Sequence, residues 1–174
     1  MAATYHVLNQ GVAYASAKSM TDVFQSSSGT NTISCYRIFF FNNGTAAVTG
    51  VLTTMVVRVQ NTSASAGTSS TIVKHKSSDA TPGANISAGT GRTIGAGSTV
   101  RRIVWSNDEP AVSTATIDEM ELLVPNCEIW NSAYGDSNVE PLRCVAAVSE
   151  GIDLQQSGSS AVGSADCEFE LTIV

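Results

Sequence analysis

Residues 165–174, ADCEFELTIV, decide the fold more clearly than any other stretch of the sequence. Apolar residues occupy the odd positions from Ala165 to Ile173, and the even positions are acidic or threonine. Successive side chains of a β-strand point to opposite faces of a sheet, so this alternation predicts a half-buried strand. Its acidic face must meet water or a basic partner.

A second stretch, Thr32–Asn42 (TISCYRIFFFN), is apolar on both faces. Simple alternation places on one face Ile33, Cys35, Phe39 and Phe41, with Arg37 among them. It places on the other face Tyr36, Ile38 and Phe40. A strand that is apolar on both faces is central in a sheet, or one of its faces contacts another subunit. We expect Tyr36, Ile38 and Phe40 to form a contact between subunits.

A turn signal follows this strand at Asn42–Thr45, where Asn-Gly favours a tight hairpin. Val48–Gln60 then resembles a returning strand, with Val51, Met55, Val57 and Val59 on one face. The sequence therefore predicts that these two strands pair directly as a hairpin.

The rest of the chain consists of short apolar segments separated by Gly, Ser and Asn, which is typical of all-β domains. We expect a single antiparallel β-sandwich over 1–174, jelly-roll-like, with long Ser/Gly/Ala-rich loops. Further strands are expected at Thr71–Lys76, Val100–Trp105, Met120–Val124, Cys127–Trp130, Leu142–Val148 and Gly151–Gln156.

Three segments depart from this pattern of strands. A short helix is predicted at Lys18–Gln25, with Ser19 as its N-cap. Residues 1–30 are interpreted as an N-terminal arm that makes inter-subunit or capsid contacts. Residues 77–99 are interpreted as a long excursion pinned to the body by Ile86 and Ile94, because loops of this length are usually functional or lie at contacts.

The composition favours a surface that becomes covered. Only 14% of residues are charged, against about 25% in a usual soluble domain. A surface of Ser, Thr and Ala costs little to desolvate, which suits a surface that a partner covers. The polar outer faces of an isolated β-sandwich explain the low charged fraction equally well. Up to position 100 there are six basic and two acidic residues, and from Arg101 on there are three basic and thirteen acidic. Such asymmetry can steer one part of a subunit toward the opposite part of its neighbour.

Several partners and compartments are disfavoured. No basic stripe suggests nucleic-acid binding, and no apolar run approaches the roughly 20 residues of a membrane helix. The N-terminal MAATYHVLNQ has neither a charged n-region nor an apolar h-region. We therefore expect synthesis in a cytoplasm and no membrane attachment.

Catalytic or metal-binding motifs are weak. His6 and His75 fall in different segments and are interpreted as surface or loop residues, so no cofactor or metal is expected. The four cysteines lack ligand spacing and are interpreted as buried thiols, not disulfides. The acidic stretch Asp108–Glu121 is interpreted as a solvated strand edge in preference to a catalytic carboxylate pair.

One polar loop contains aromatic residues that could bind a sugar ring or a protein. Trp130 and Tyr134 lie there among small polar residues. Trp130 is interpreted as a cap on the core, and Tyr134 remains a candidate interface residue.

Several stretches together resemble small virion proteins of tailed bacteriophages. They are KSMTDVF (18–24), YRIFFFNNGTAAVTGVLTTMVVRV (36–59), RRIVWSNDEPAVSTATIDEMELLVPNCEIW (101–130), YGDSNVEPL (134–142) and SGSSAVGSADCEFEL (157–171). The resemblance implies a capsid cement (decoration) protein with a sandwich or jelly-roll core. It also implies a homotrimer on the capsid surface that clamps neighbouring major capsid proteins, without catalytic residues.

Three functions follow as hypotheses. The leading one is a cement protein of the virion, with trimer contacts at Tyr36–Phe40 and capsid contacts at the N-terminal segment and residues 77–99. The second is a receptor- or carbohydrate-binding module of a phage tail that uses Tyr134 and Trp130. The third is a polysaccharide hydrolase that uses the carboxylates of Asp108–Glu121.

Overall fold

The computed structural model describes residues 3–42, 52–106, 128–132, 140–157 and 164–174. In this part of the chain every regular element is a β-strand. The strands are β1 Ala3–Ala13, β2 Ser19–Gln25, β3 Ile33–Asn42, β4 Leu52–Asn61, β5 Ala64–Ser65, β6 Thr68–Ser70, β7 Val73–Lys74, β8 Ile86–Thr90, β9 Thr93–Ile94, β10 Ser98–Ser106, β11 Glu128–Asn131, β12 Leu142–Cys144, β13 Glu150–Ser157 and β14 Ser164–Ile173.

Two antiparallel sheets contain most of these strands. The first sheet has the order β11-β3-β14-β1-β7, with β12 also paired to β3. The second has the order β10-β4-β13-β2-β8-β6, and β5 pairs with β9 apart from both. Apolar side chains from both sheets form one buried cluster, so the predicted antiparallel β-sandwich is confirmed.

The pairing of strands is nested along the chain. β1 pairs with β14, β2 with β13, β3 with β12, and β4 with β10. This is a long hairpin folded over so that β1 to β4 alternate between the two sheets, which is the jelly-roll arrangement.

The predicted hairpin of β3 with β4 is wrong. Both strands form, but β3 lies in the first sheet and β4 in the second. The late strands β14 and β13 provide their partners, because the nested pairing places consecutive strands in opposite sheets. On β4, Met55 and Val57 are buried and Val59 packs against the core, as expected; Val51 lies outside the described residues.

The predicted helix at 18–25 is wrong, and most of the predicted arm at 1–30 consists of sandwich strands; its inter-subunit or capsid contacts stay a prediction. Residues 19–25 form β2, which pairs with β13 on one side and β8 on the other. Residues 3–13 form β1, which pairs with β14 along its length. Met20 and Val23 are buried in the core, so tertiary burial outweighs the weak helix signal at Ser19.

A β-bulge at Tyr36 changes which side chains of β3 point inward. Glu170 lies opposite Arg37, whereas the next residue, Leu171, lies opposite Cys35. Tyr36 is therefore the extra residue, and an extra residue reverses the alternation beyond it. The fully buried side chains of β3 are those of Ile33, Cys35, Ile38 and Phe40. The predicted grouping of Phe39 and Phe41 with Ile33 and Cys35 is wrong for this reason.

The β5–β9 pair with its flanking turns, residues 62–66 and 91–97, lies over the outer side of the second sheet, and we call it the covering segment. It is joined to the sheet through backbone bonds such as Ser19 N to Arg92 O (3.1 Å) and Gly91 N to Ser19 O (2.7 Å). Of the strands between its two halves, β6 and β8 belong to the second sheet and β7 to the edge of the first. Ile86 is buried, as expected of a pinning residue, and Ile94 pairs with Ala64 between β9 and β5. The expected excursion at 77–99 is thus partly built of short strands.

Candidate interaction surface

The outward side of the first sheet carries the most unusual surface in the described structure. Phe39 lies opposite Glu168, which in turn lies opposite Leu8. On the same face, two residues before Phe39 on β3, Arg37 lies opposite Glu170. The first-sheet outer face, as we call it, consists of His6, Leu8, Arg37, Phe39, Phe41, Asp166, Glu168 and Glu170.

Apolar side chains on this face are exposed. The rings of Phe39 and Phe41 stack with centroids 5.9 Å apart and planes within 9°. Phe41 is 36% exposed and Leu8 is 48% exposed. Phe39 is half-buried, and Leu8 lies on the same face on the far side of β14. Partly exposed aromatic and aliphatic side chains on one face are typical of a protein–protein contact.

Charges on the same face are already paired within the chain. The Arg37 Nε lies 2.5 Å from a carboxylate oxygen of Glu128, and its Nη1 lies 3.5 Å from one of Glu170. The guanidinium also lies 4.6 Å from the centroid of Phe39, within cation–π range. Arg37 therefore holds both the carboxylates and the aromatic ring in place before any partner binds.

Two of the predicted interface residues do not reach this surface. Ile38 and Phe40 are 0% exposed in the single chain and belong to the core, because the bulge turns them inward. Tyr36 is half-buried at the bulge itself. Tyr134 lies outside the described residues. The outward positions of β3 are instead Arg37, Phe39 and Phe41.

The structure brings together two histidines that the sequence separates. A ring nitrogen of His6, Nδ1, lies 2.8 Å from Glu168 Oε1, and its Nε2 lies 3.1 Å from His75 Nδ1. Strand β7 places His75 there, since it pairs with β1 at the edge of the first sheet. Sequence reasoning missed this contact because no local pattern indicates that β7 lies beside β1. Among the described residues, no group of three or more His, Cys, Asp or Glu side chains is arranged to hold a metal ion.

A row of charges also crosses the outer side of the second sheet. Asp22 lies opposite Asp153, and Asp153 lies opposite Arg58 on its other side. Arg92 reaches Asp22 over Gly89, where a Cβ atom would overlap the guanidinium. The carboxylates have ion-pair distances of 3.3 Å to Arg92 Nη1 and 3.9 Å to Arg58 Nε.

Both aspartates are almost completely shielded from solvent beneath the covering segment. Burial raises the pKa of Asp22 to about 6, although Arg92 and the Ser19 hydroxyl act against the shift. Burial raises the pKa of Asp153 to about 7, and the neighbouring Asp22 adds to the shift while Arg58 and Asn61 oppose it. The Asn61 amide donates to Asp153 Oδ1 at 2.6 Å. This row fastens the covering segment to the sheet.

The two raised pKa values predict that stability falls as pH rises. A folded-state pKa of about 6 or 7, against an ordinary 3.8, means that the folded protein binds more protons between about pH 4 and pH 7. We expect the free energy of unfolding to drop by on the order of 2 kcal/mol from pH 5 to pH 8. Urea denaturation at several pH values measures it.

The Asp153→Asn variant is the control for this prediction, because an amide of the same shape does not titrate. Its stability should depend less steeply on pH than that of the natural chain. Identical slopes for the two proteins, or stability that increases toward pH 8, would contradict the assignment.

The cysteines behave as small apolar residues in the described structure. Cys35, Cys144 and Cys167 are free and buried, in agreement with the sequence prediction; Cys127 lies outside the described residues. Burial raises the pKa of Cys144 to about 12 and also raises the pKa of Cys35 and of Cys167. Thiols held protonated in this way are poor nucleophiles and ligands.

Trp130 packs against the core, as its interpretation as a core cap predicts. The acidic stretch Asp108–Glu121 lies outside the described residues. A shallow groove of about 320 Å³ opens beside β6 and β8, and its walls carry small hydroxyl and aliphatic side chains. Its lining residues are Ser69, Ser70, Ile72, Thr81, Pro82, Ile86, Ser87 and Ala88. A groove lined in this way has no aromatic platform for a sugar ring.

Comparisons with family models, with curated proteins and with solved structures find no match to this chain. Among the described residues, no helix is long and apolar enough to cross a membrane. By its fold the chain is a jelly-roll sandwich, and the outer face of its first sheet carries a stacked aromatic pair.

Proposed function

We propose that this chain is a structural protein of a tailed-bacteriophage virion, a capsid cement protein that binds the major capsid protein and stabilises the shell. In this proposal it associates with copies of itself as a trimer on the capsid surface and is not an enzyme. The resemblance of its sequence stretches to small virion proteins supports the role, and the first-sheet outer face supplies the physical argument.

The observation that carries the proposal is the partly exposed Phe39–Phe41 stack, which shares with Leu8 a face whose charges are already paired. Binding costs free energy when side chains must be ordered and charges stripped of water. Here the rings are stacked and Arg37 is neutralised by Glu128 and Glu170 in the free chain. Such a preorganised face favours contact with another protein, and we assign it to the contact between copies.

The jelly-roll fold is compatible with this role. Jelly rolls build viral capsid proteins, but also lectin domains and cupins, and a fold by itself does not select a function. The choice among these roles therefore rests on the surface. In place of Tyr36, Ile38 and Phe40, the proposal uses Phe39 and Phe41, which the single chain leaves accessible.

The test is to reconstitute capsid shells with and without the purified protein and to compare their resistance to heat. We expect shells that carry the protein to rupture at a higher temperature, and electron microscopy of intact particles to show it on the capsid surface. Shells of equal heat resistance that carry no bound protein would contradict the proposal.

The Phe41→Ser variant connects this test to the assigned face. It should fold but lose trimer formation, as measured by light scattering, and with it most of its shell binding by avidity. The matched control is Val104→Ser, since Val104 is 64% exposed on the second sheet. A trimer unaffected by Phe41→Ser, or lost equally in both variants, would refute this choice of face.

A further inference from the structure

The two histidines of the first-sheet edge meet end to end. The distance from His6 Nε2 to His75 Nδ1 is 3.1 Å, whereas the ring centroids are 5.4 Å apart. The rings thus approach through these two nitrogens and not through their faces. One nitrogen must carry the hydrogen and the other must accept it. The lone pair of the accepting nitrogen then points at that hydrogen, so the two rings share one hydrogen bond.

The contact tolerates one added proton but not two. In the neutral state, His6 donates through Nδ1 to Glu168, and its Nε2 accepts from His75 Nδ1. After one protonation, the hydrogen between the rings passes from His75 Nδ1 to His6 Nε2 and the added proton lies on His75 Nε2, so His6 donates to both Glu168 and His75. After a second protonation both facing nitrogens carry hydrogen, so no acceptor remains and two positive rings face each other.

The charges near His6 are negative, whereas those that flank His75 are positive. On the side of β14, Glu168 bonds to His6, and Glu170 lies opposite His6 in the strand register. Glu170 is also held by Arg37. On the other side, Lys74 and Lys76 flank His75 in sequence. A positive charge on His6 would therefore face carboxylates, whereas one on His75 would lie between two lysines in the sequence.

Little else holds β7 and the residues after it to the sheet. The strand pairs with β1 at only Tyr5↔Lys74 and His6↔Val73. The His75 amide donates to the Thr4 carbonyl at 2.9 Å, and the Tyr5 hydroxyl donates to the Ala80 carbonyl at 2.9 Å. Val73 is 51% exposed. A segment with few buried apolar contacts opens at low free-energy cost.

We propose that His6 and His75 form an acid-sensitive clasp that releases residues 73–80 from the edge of the first sheet when both imidazoles are protonated. Because release requires the uptake of protons by imidazole rings, it belongs to acidic solution. Release leaves the outward backbone groups of β1 unpaired, and an unpaired strand edge can pair with another chain.

Hydrogen–deuterium exchange on the full-length protein tests the clasp. We compare the peptide covering residues 71–80 at pH 7.5 and pH 5.0, after correction for the intrinsic pH dependence of exchange. The expected result is at least a tenfold loss of protection at pH 5.0. Peptides from β8 should keep their protection at both pH values, which would show that the fold remains intact.

The His75→Asn variant separates the clasp from general acid effects. Its amide can still hydrogen-bond to His6 but cannot take up a proton, so its protection should be the same at both pH values. Three outcomes would overturn the proposal. They are an unchanged natural protein at pH 5.0, an equal loss in His75→Asn, and release at pH 7.5 on addition of EDTA, which would indicate a metal-dependent contact.

Discussion

Replacement of Phe40 by alanine is expected to lower the free energy of unfolding by about 3–5 kcal/mol. The ring of Phe40 is 0% exposed, and it packs near Tyr14, with centroids 6.3 Å apart. Its removal would leave a cavity between two sheets that cannot close around it, because strand pairing fixes their backbones on both sides. Urea denaturation followed by fluorescence or circular dichroism measures the loss.

Alanine replacement of the next residue, Phe41, is the matched control for Phe40→Ala. Phe41 is 36% exposed and loses only its stacking on Phe39, so Phe41→Ala should cost less than about 1 kcal/mol. The contrast between neighbouring phenylalanines tests the bulge at Tyr36 directly. If Phe41→Ala were the more costly change, the inward and outward faces of β3 would have to be exchanged.

Replacement of Arg58 by methionine should destabilise the protein by about 3–5 kcal/mol at pH 8. Arg58 lies beside Asp153, donates to Gln155 at 3.0 Å and donates to the Gly95 carbonyl at 2.6 Å. Arg58 lowers the pKa of Asp153, so without the guanidinium the buried carboxyl either stays charged with no opposite charge beside it or takes up a proton. The covering segment also loses a bond that holds it to the sheet. Denaturation at pH 8 measures the effect.

Two further variants identify the cause of that loss. Adding Asp153→Asn to Arg58→Met should restore part of the stability, since the uncompensated charge is then gone. Arg102→Met, on an exposed residue of β10, should change stability by no more than about 0.5 kcal/mol. A double variant as unstable as the single one would mean that Arg58 acts only through packing and hydrogen bonds.

The two sides of the sandwich therefore serve different purposes. On the second sheet, the charges of Asp22, Asp153, Arg58 and Arg92 are buried and hold the covering segment in place. On the first sheet, the exposed face combines paired charges with the Phe39–Phe41 stack. This division explains why the proposed contact between copies is placed on the first sheet.

Strong local patterns predicted the strands well. The alternation over 165–173 predicted β14 with the correct inward residues. Burial alternates regularly along β14, because the extra residues of its two pairings lie on the partner strands β3 and β1. The strands at Val100–Trp105 and Gly151–Gln156 were likewise predicted near their observed bounds. Ser19–Gln25 was not, since its seven residues are nearly all buried and show no alternation that identifies a strand.

The candidate surface could be predicted only in part. The acidic side of β14 was expected to face outward, and it does. The aromatic side of β3 was assigned to the wrong residues, since the bulge at Tyr36 depends on how β3 aligns with β14, more than a hundred positions away. The contact between His6 and His75 was missed because it depends on the pairing of β7 with β1, which no local sequence pattern indicates.

The sequence by itself determined that this is an all-β sandwich in which Cys35, Cys144 and Cys167 are buried thiols, because hydrophobic alternation and turn residues act over a few positions. Only the tertiary structure decided that β3 and β4 lie in different sheets, which phenylalanines of β3 face outward, and which histidines and carboxylates meet. Those outcomes depend on pairing between distant strands. Local propensity does not encode such pairing, since the register is chosen by the free energy of the assembled core.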